Sequence, residues 1–315
     1  MARRLTSFLF AAALWPVAVQ AQDQISVVAT TGMIADAARV VGGEIVSVQA
    51  LMGPGVDPHS YRQTRSDIVA AARADVVLWH GLYLEAQMEE FLLELGEAGT
   101  AVPVAEALPP ENLIASDTYA DQFDPHVWMD PTLWQDVVVQ VAATLSDVAP
   151  DHAELFEANA EAYSAEIASL IAYSDEVLST VPEAARVLVT AHDAFNYFGA
   201  AYGFEVVGIQ GISTESEAGL QRIGELVDLL VEREIAAVFV ESSVSDRNIR
   251  ALIEGAAAQG HEVVIGGELY SDAMGPDGTY EGTWIGMIDH NVTTIARALG
   301  GDAPEGGMQG ALATN

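Results

Sequence analysis

The sequence predicts an α/β protein of two lobes, each a mainly parallel four-stranded sheet flanked by helices, joined by one long rigid helix. Three observations carry this. Short β-branched runs alternate with amphipathic stretches along most of the chain, which is the pattern of βα units. The alternation comes in two sets, and 315 residues exceed what one core organises comfortably. Between the sets, 151–180 is rich in Ala, Glu and Leu, is bounded by Pro150 and Pro182, and contains no Pro or Gly.

The first set reads as strands at 25–30, 45–51, 76–79 and 101–104, with helices at 33–41, 66–74 and 85–95. The linking segment reads as a single helix roughly 40 Å long at the usual rise per residue. A stiff helix between lobes permits less opening than flexible strand hinges. The second set reads as strands at 187–190, 205–209, 236–240 and 262–265, with helices at 194–202, 216–232 and 246–259. The expected organisation is a signal peptide at 1–21, an N-terminal lobe at 22–148, the linking helix at 149–182, a C-terminal lobe at 183–300 and a Gly- and Ala-rich flexible tail at 301–315.

Arg3 and Arg4 precede an apolar run over 5–19, and Val19-Gln20-Ala21 offers small residues at the positions a signal peptidase reads. The run is too short to span a bilayer, and Gln20, Gln22 and Asp23 close it. There is no cysteine, so neither a disulfide framework nor a lipid-bearing cysteine is expected. The expectation is a periplasmic protein with a cleaved signal, not lipid-anchored.

Twelve arginines, no lysine and 46 acidic residues give a net charge of -34. Such a field repels nucleic acid and anionic membrane, and it concentrates cations without choosing among them. Selection has to come from particular side chains.

Of seven histidines, three have unusual surroundings. His59 lies in Gly55-Val56-Asp57-Pro58-His59, His126 in Asp124-Pro125-His126, and His192 in Thr190-Ala191-His192-Asp193 at the end of a predicted strand. A lone histidine is more often structural than a ligand. Two Asp-Pro-His tripeptides in proline-fixed loops, with a third histidine at a strand end, point together to a first-row metal. Proline holds the imidazole in place before the ion arrives, which lowers the ordering cost of binding.

A fourth, anionic ligand would partly offset a dication. Glu241 and Asp272 are the candidates at strand ends of the second lobe, and Asp272 is favoured because Gly266, Gly267 and Gly275 let the backbone turn it inward. Glu241 is then, with Asp57, Asp124 and Asp193, a candidate to accept a ligand's other ring N–H. The competing reading of these aspartates is ordinary turn and cap formation. His80, His152, His261 and His290 are read as non-ligands.

These residues resemble the solute-binding proteins of zinc and manganese ABC transporters, whose two lobes are joined by one long helix. The resemblance runs from Thr30-Thr31-Gly32-Met33 through the histidine segments to Gly211-Ile212-Ser213-Thr214-Glu215-Ser216, Val240-Glu241-Ser242-Ser243 and Gly266-Gly267-Glu268 with Asp272. It implies a metal site of His59 and His126 from the first lobe with His192 and Asp272 from the second. It also implies a monomer that delivers one Zn2+ or Mn2+ to an inner-membrane permease with its cytoplasmic ATPase. Members with glutamate in place of the third histidine look like manganese or iron binders, whereas this chain has His192. It lacks the histidine-rich loop of many zinc-uptake members, since no residue between 106 and 125 is histidine.

Three nitrogens and one carboxylate suit zinc first and manganese second. A periplasmic zinc-dependent hydrolase would instead keep an open coordination position, and no His-Glu-x-x-His is present. A receptor for an organic solute would need a cleft lined by aromatics, for which Trp128 or Tyr61 could serve.

Overall fold

The computed structural model describes residues 24–116, 121–216 and 218–313; the expected signal peptide at 1–21 lies outside the described residues. The first lobe runs β1 (Ile25–Ala29), α1 (Gly32–Gly42), β2 (Val46–Ala50), α2 (Arg65–Ala71), β3 (Val76–Trp79), α3 (Glu89–Glu97) and β4 (Ala101–Pro103). The strands are all parallel in the order β2-β1-β3-β4, with Ile25 opposite Val46, Val27 opposite Val76 and Val77 opposite Ala101. All four residues of β3 are buried, as a central parallel strand covered on both faces requires. The Thr31 side chain accepts from Ile34 N to start α1, which buries Met33, Ile34, Ala37, Ala38 and Val41 against the sheet.

Two helices follow, α4 (Pro131–Val148) and α5 (Ala153–Ser179). Asp130 caps α4, and Pro131 occupies its first turn, where a missing N–H costs nothing. Phe156, Ala160, Tyr163, Ile167, Leu170, Ser174 and Val177 form the buried stripe of α5 at alternating steps of four and three. That one stripe serves both lobes: α5 packs on α1 and α4 of the first and on α6 (Asn196–Tyr202) and α9 (Trp284–Ala298) of the second.

The second lobe is completed by β5 (Val187–His192), β6 (Glu205–Gln210), α7 (Leu220–Glu232), β7 (Ala237–Glu241), α8 (Arg247–Ala258) and β8 (Val264–Leu269). Its strands are parallel and hydrogen-bonded as two pairs, β5-β6 and β7-β8, with β5 running alongside β7. At the end of β5 the amide of His192 is taken by the Glu241 carboxylate at 2.9 Å, in place of a neighbouring strand's carbonyl.

The hydrophobic core continues from one lobe into the other at their base. Trp134 of α4 stacks on Trp284 of α9, with ring centroids 5.6 Å apart. The flexible tail expected at 301–315 is corrected as far as residue 313. Asp302 N donates to Thr180, Met308 N to the Asp289 carboxylate and Ala313 N to Glu281, while Ala303 and Leu312 are buried. Glycine content hid these anchors, because they use backbone amides and not side chains.

Candidate metal centre

Three loops and the end of β5 converge at the carboxyl ends of the strands. The loop after β2 turns at Gly55, whose φ of 71° suits a residue without Cβ, and reaches His59 between the two lobes. His126 sits where an irregular segment meets a short helical turn before α4, His192 is the last residue of β5, and Asp272 follows β8. All four side chains are buried.

Their ligating atoms face one another. His59 Nε2 is 3.2 Å from His126 Nε2, His126 Nε2 is 3.4 Å from Asp272 Oδ1, and His192 Nε2 is 3.2 Å from Asp272 Oδ2. One ligating atom from each residue lies within 4.8 Å of all the others, and among the described residues this is the grouping that could hold a metal ion.

Two carboxylates stand behind the cluster. Asp124 Oδ1 accepts both the His126 amide, at 2.9 Å, and its ring Nδ1–H, at 2.6 Å, and Asp124 Oδ2 accepts from Asn196. Glu241 Oε2 lies 2.6 Å from His192 Nδ1. Each carboxylate therefore occupies the Nδ1 side of its histidine and leaves Nε2 as the nitrogen that faces the cluster, free to ligate once its proton is displaced. The other two expected carboxylates are engaged differently. Asp57 accepts the His59 backbone amide and the hydroxyls of Ser60 and Thr214, and Asp193 accepts the Gly208 amide on β6.

Burial pulls the His59 imidazole down to about 4, with Asp272 offsetting it only in part. Burial acts downward on His126 too, but Asp124 and Asp272 outweigh it and hold that ring at about 9. His192 is held well above its ordinary value against burial by Asp272 and Glu241. Asp272, which burial would raise, is held well below the carboxylate range by His192, His126 and His59. Two protonated rings among three carboxylates make a charge environment in which a dication can replace two protons.

His80, read from sequence as a non-ligand, is not among the four but is part of the frame. It is fully buried one residue past β3, with Nε2 at 2.6 Å from the Pro125 carbonyl, and burial lowers it to about 3. The Trp128 ring stands edge-on between His80 and His126, and its N–H donates to the Ser271 carbonyl at 2.8 Å, directly before Asp272. The strand-end argument that singled out His192 applies equally to His80. His261 and His290 hold the carbonyls of Ile235 and Glu268, away from the cluster.

A cavity of about 340 Å³ opens beside Asp272, lined by residues that include Thr31, Met52, Pro58 and Met274, with no aromatic ring among its walls. Trp128 is buried and Tyr61 is bonded to Asp67, so neither serves an organic-solute cleft.

Residues 27–298 match the family described as ZnuA, zinc-uptake complex component A, periplasmic. The chain belongs to the ZnuA family. This ZnuA-family chain is 51% identical over 279 residues to the manganese-binding lipoprotein MntA of Bacillus subtilis, covering 89% of this chain and 91% of that one. It is 44% identical over 273 residues to the zinc-binding protein TroA of Treponema pallidum, covering 87% and 88%. The solved structure of that periplasmic zinc-binding TroA superposes with a TM-score of 0.85 at 43% identity, covering 88% of this chain and 99% of TroA. The ZnuA-family protein is thus a metal-binding, substrate-binding component of an ABC transporter and not an enzyme, with a permease and ATPase as the partners its family implies.

The expectation of a periplasmic protein that is not lipid-anchored is corrected. MntA of B. subtilis, MntA of Halalkalibacterium halodurans and PsaA of Streptococcus pneumoniae are all named lipoproteins. The expectation rested on the apolar run at 5–19 and on a sequence without cysteine, whereas relatives matched over most of the chain are named lipoproteins.

Proposed function

We propose that His59, His126, His192 and Asp272 together hold one divalent transition-metal ion, zinc before manganese, as cargo for the permease. The observation that carries this is the spacing of the ligating atoms. Zinc bonds of about 2.0–2.1 Å in a tetrahedron put neighbouring donors about 3.3 Å apart. Three separations are 3.2, 3.4 and 3.2 Å, the last two running to different oxygens of Asp272, and one ligating atom from each residue lies within 4.8 Å of the others. Asp124 and Glu241 act behind the site, fixing the tautomers of His126 and His192. In this reading the cleft lies between lobes at 22–148 and 183–300, with 149–182 as the link.

Three imidazoles and a carboxylate favour zinc, which outranks manganese at such donors. One observation favours manganese as the second reading. Asp272 turns Oδ1 toward His126 and Oδ2 toward His192, so both oxygens are available and a five-coordinate site is within reach. The 51% identity to a manganese-binding relative supports the same reading.

Competitive titration of metal-stripped protein against chelators tests both. The expected result is one ion per chain with zinc held more tightly, and tighter manganese would reverse the assignment.

A further inference from the structure

The two lobes meet across the cleft in two different ways. At the base, the Trp128 indole donates to Ser271 O at 2.8 Å, and both residues are fully buried. At the rim, the segment leaving β6 crosses to the first lobe. Thr214 Oγ1 donates to Asp57 Oδ2 at 2.6 Å, and Gln87 Nε2 donates to Glu215 Oε1 at 2.8 Å. Gln210 Nε2 donates to the carbonyls of Thr214 and Ser216 at 3.2 and 3.1 Å, which ties the crossing segment to the end of β6.

Asp57 makes the rim contact more than a surface bond. The carboxylate that accepts from Thr214 also accepts the His59 amide at 2.9 Å and the Ser60 hydroxyl at 2.8 Å. One side chain thus joins the backbone of a first-lobe histidine to a hydroxyl of the second lobe. His126 and His192 each have a carboxylate on Nδ1 within or beside their own lobe. His59 is supported through its backbone by Asp57, and that support is complete only when the lobes are together.

The two contacts differ in what it takes to break them. Separating Trp128 from Ser271 leaves a buried donor and acceptor unpaired, whereas the rim groups exchange their partners for water. An opening that starts at the rim and turns about the base would therefore break the less costly contacts first.

We propose that Thr214 is a positioning residue for His59, and that its bond to Asp57, with Gln87–Glu215 beside it, forms a rim latch that sets the rate of metal release. The inference rests on the metal-site reading above. A permease that draws the 212–216 segment away from the first lobe would loosen His59 first and leave His126, His192 and Asp272 in place.

The test uses the full chain loaded with one zinc, with release followed by stopped-flow transfer to an excess of chromophoric chelator. Loss of one hydrogen bond in Thr214→Val is expected to speed release roughly three- to tenfold. Thr214→Ser should restore the rate, and Gln87→Ala, which removes a solvent-exposed bond, should speed release less. Metal stoichiometry should not move. A Thr214→Val release rate within about twofold of the unmodified protein overturns the latch, since a lost bond should exceed that. Release from Thr214→Ser as fast as from Thr214→Val also overturns it, because the hydroxyl's bond to Asp57 is then not what sets the rate. If the unmodified chain binds no zinc, the metal-site reading fails and this inference with it; if it binds one zinc and release is unchanged in the variants, only the latch fails.

Discussion

Asp124 grips His126 twice through one oxygen, at the backbone amide and at ring Nδ1, so a single carboxylate sets both the placement and the tautomer of that imidazole. Glu241 serves His192 from the adjacent strand with both of its oxygens, Oε1 at the backbone amide and Oε2 beside ring Nδ1. The chemistry of the cluster follows from these two pairs, because they decide which nitrogen faces inward and where the negative charge sits.

Asp124→Asn keeps the shape of the side chain and removes its charge. Metal affinity should fall about 10- to 100-fold, as for the loss of a partner behind a ligating histidine. Competition against a chelator of known affinity measures it, and an unchanged affinity contradicts the role given to Asp124.

With His126 at about 9 and His192 raised well above the ordinary imidazole, both rings carry protons at neutral pH before metal binds. Calorimetry in buffers of different ionisation enthalpy should record about two protons released per ion near pH 7, and affinity should weaken steadily as pH falls. His59, at about 4, contributes little to that slope near neutrality. The metal-free chain responds in the opposite sense. A raised folded-state value stabilises fully below the unfolded imidazole's roughly 6.5 and loses that contribution as pH rises through the folded value. For His126 that value is about 9, so the metal-free melting temperature should drop across this window. A flat profile on both counts argues against protonated rings in the cluster.

Trp128→Phe retains the ring between His80 and His126 and deletes the donor to Ser271 O. A buried carbonyl left unpaired costs about 1–3 kcal/mol, so thermal denaturation should shift down. Metal affinity should fall as well, because Asp272 loses the tether on its preceding residue. Lower stability with unaltered affinity would separate Ser271 from the placement of Asp272.

His192→Glu exchanges a nitrogen donor for a harder oxygen beside Asp272 and Glu241, and the ratio of zinc to manganese affinity should fall. Parallel titrations with both metals measure the ratio. An unchanged ratio removes His192 from the selectivity argument.

Much of this was legible in the sequence for physical reasons that differ by element. The uninterrupted stretch between Pro150 and Pro182 became α5 at Ala153–Ser179, since nothing inside it breaks a helix. The histidines at 59, 126 and 192 stood out because proline or a strand end fixes the backbone that carries them, and the structure brings them together with Asp272. What each Asp-Pro-His aspartate does was not legible. Asp57 and Asp124 sit in identical tripeptides, yet one reaches the opposite lobe through Thr214 and the other reaches a ring nitrogen. That difference comes from what packs around them. His80 and Trp128 were missed as frame residues because their partners, the carbonyls of Pro125 and Ser271, have no signature in sequence.

The central claim is that one metal ion sits among His59, His126, His192 and Asp272. Anomalous diffraction from crystals of the zinc-loaded protein, recorded on both sides of the zinc edge, tests it most directly. The account predicts a single peak at about 2.0–2.1 Å from Nε2 of the three histidines and from a carboxylate oxygen of Asp272. A peak elsewhere on the molecule, or no peak in protein shown to contain one zinc per chain, would contradict it.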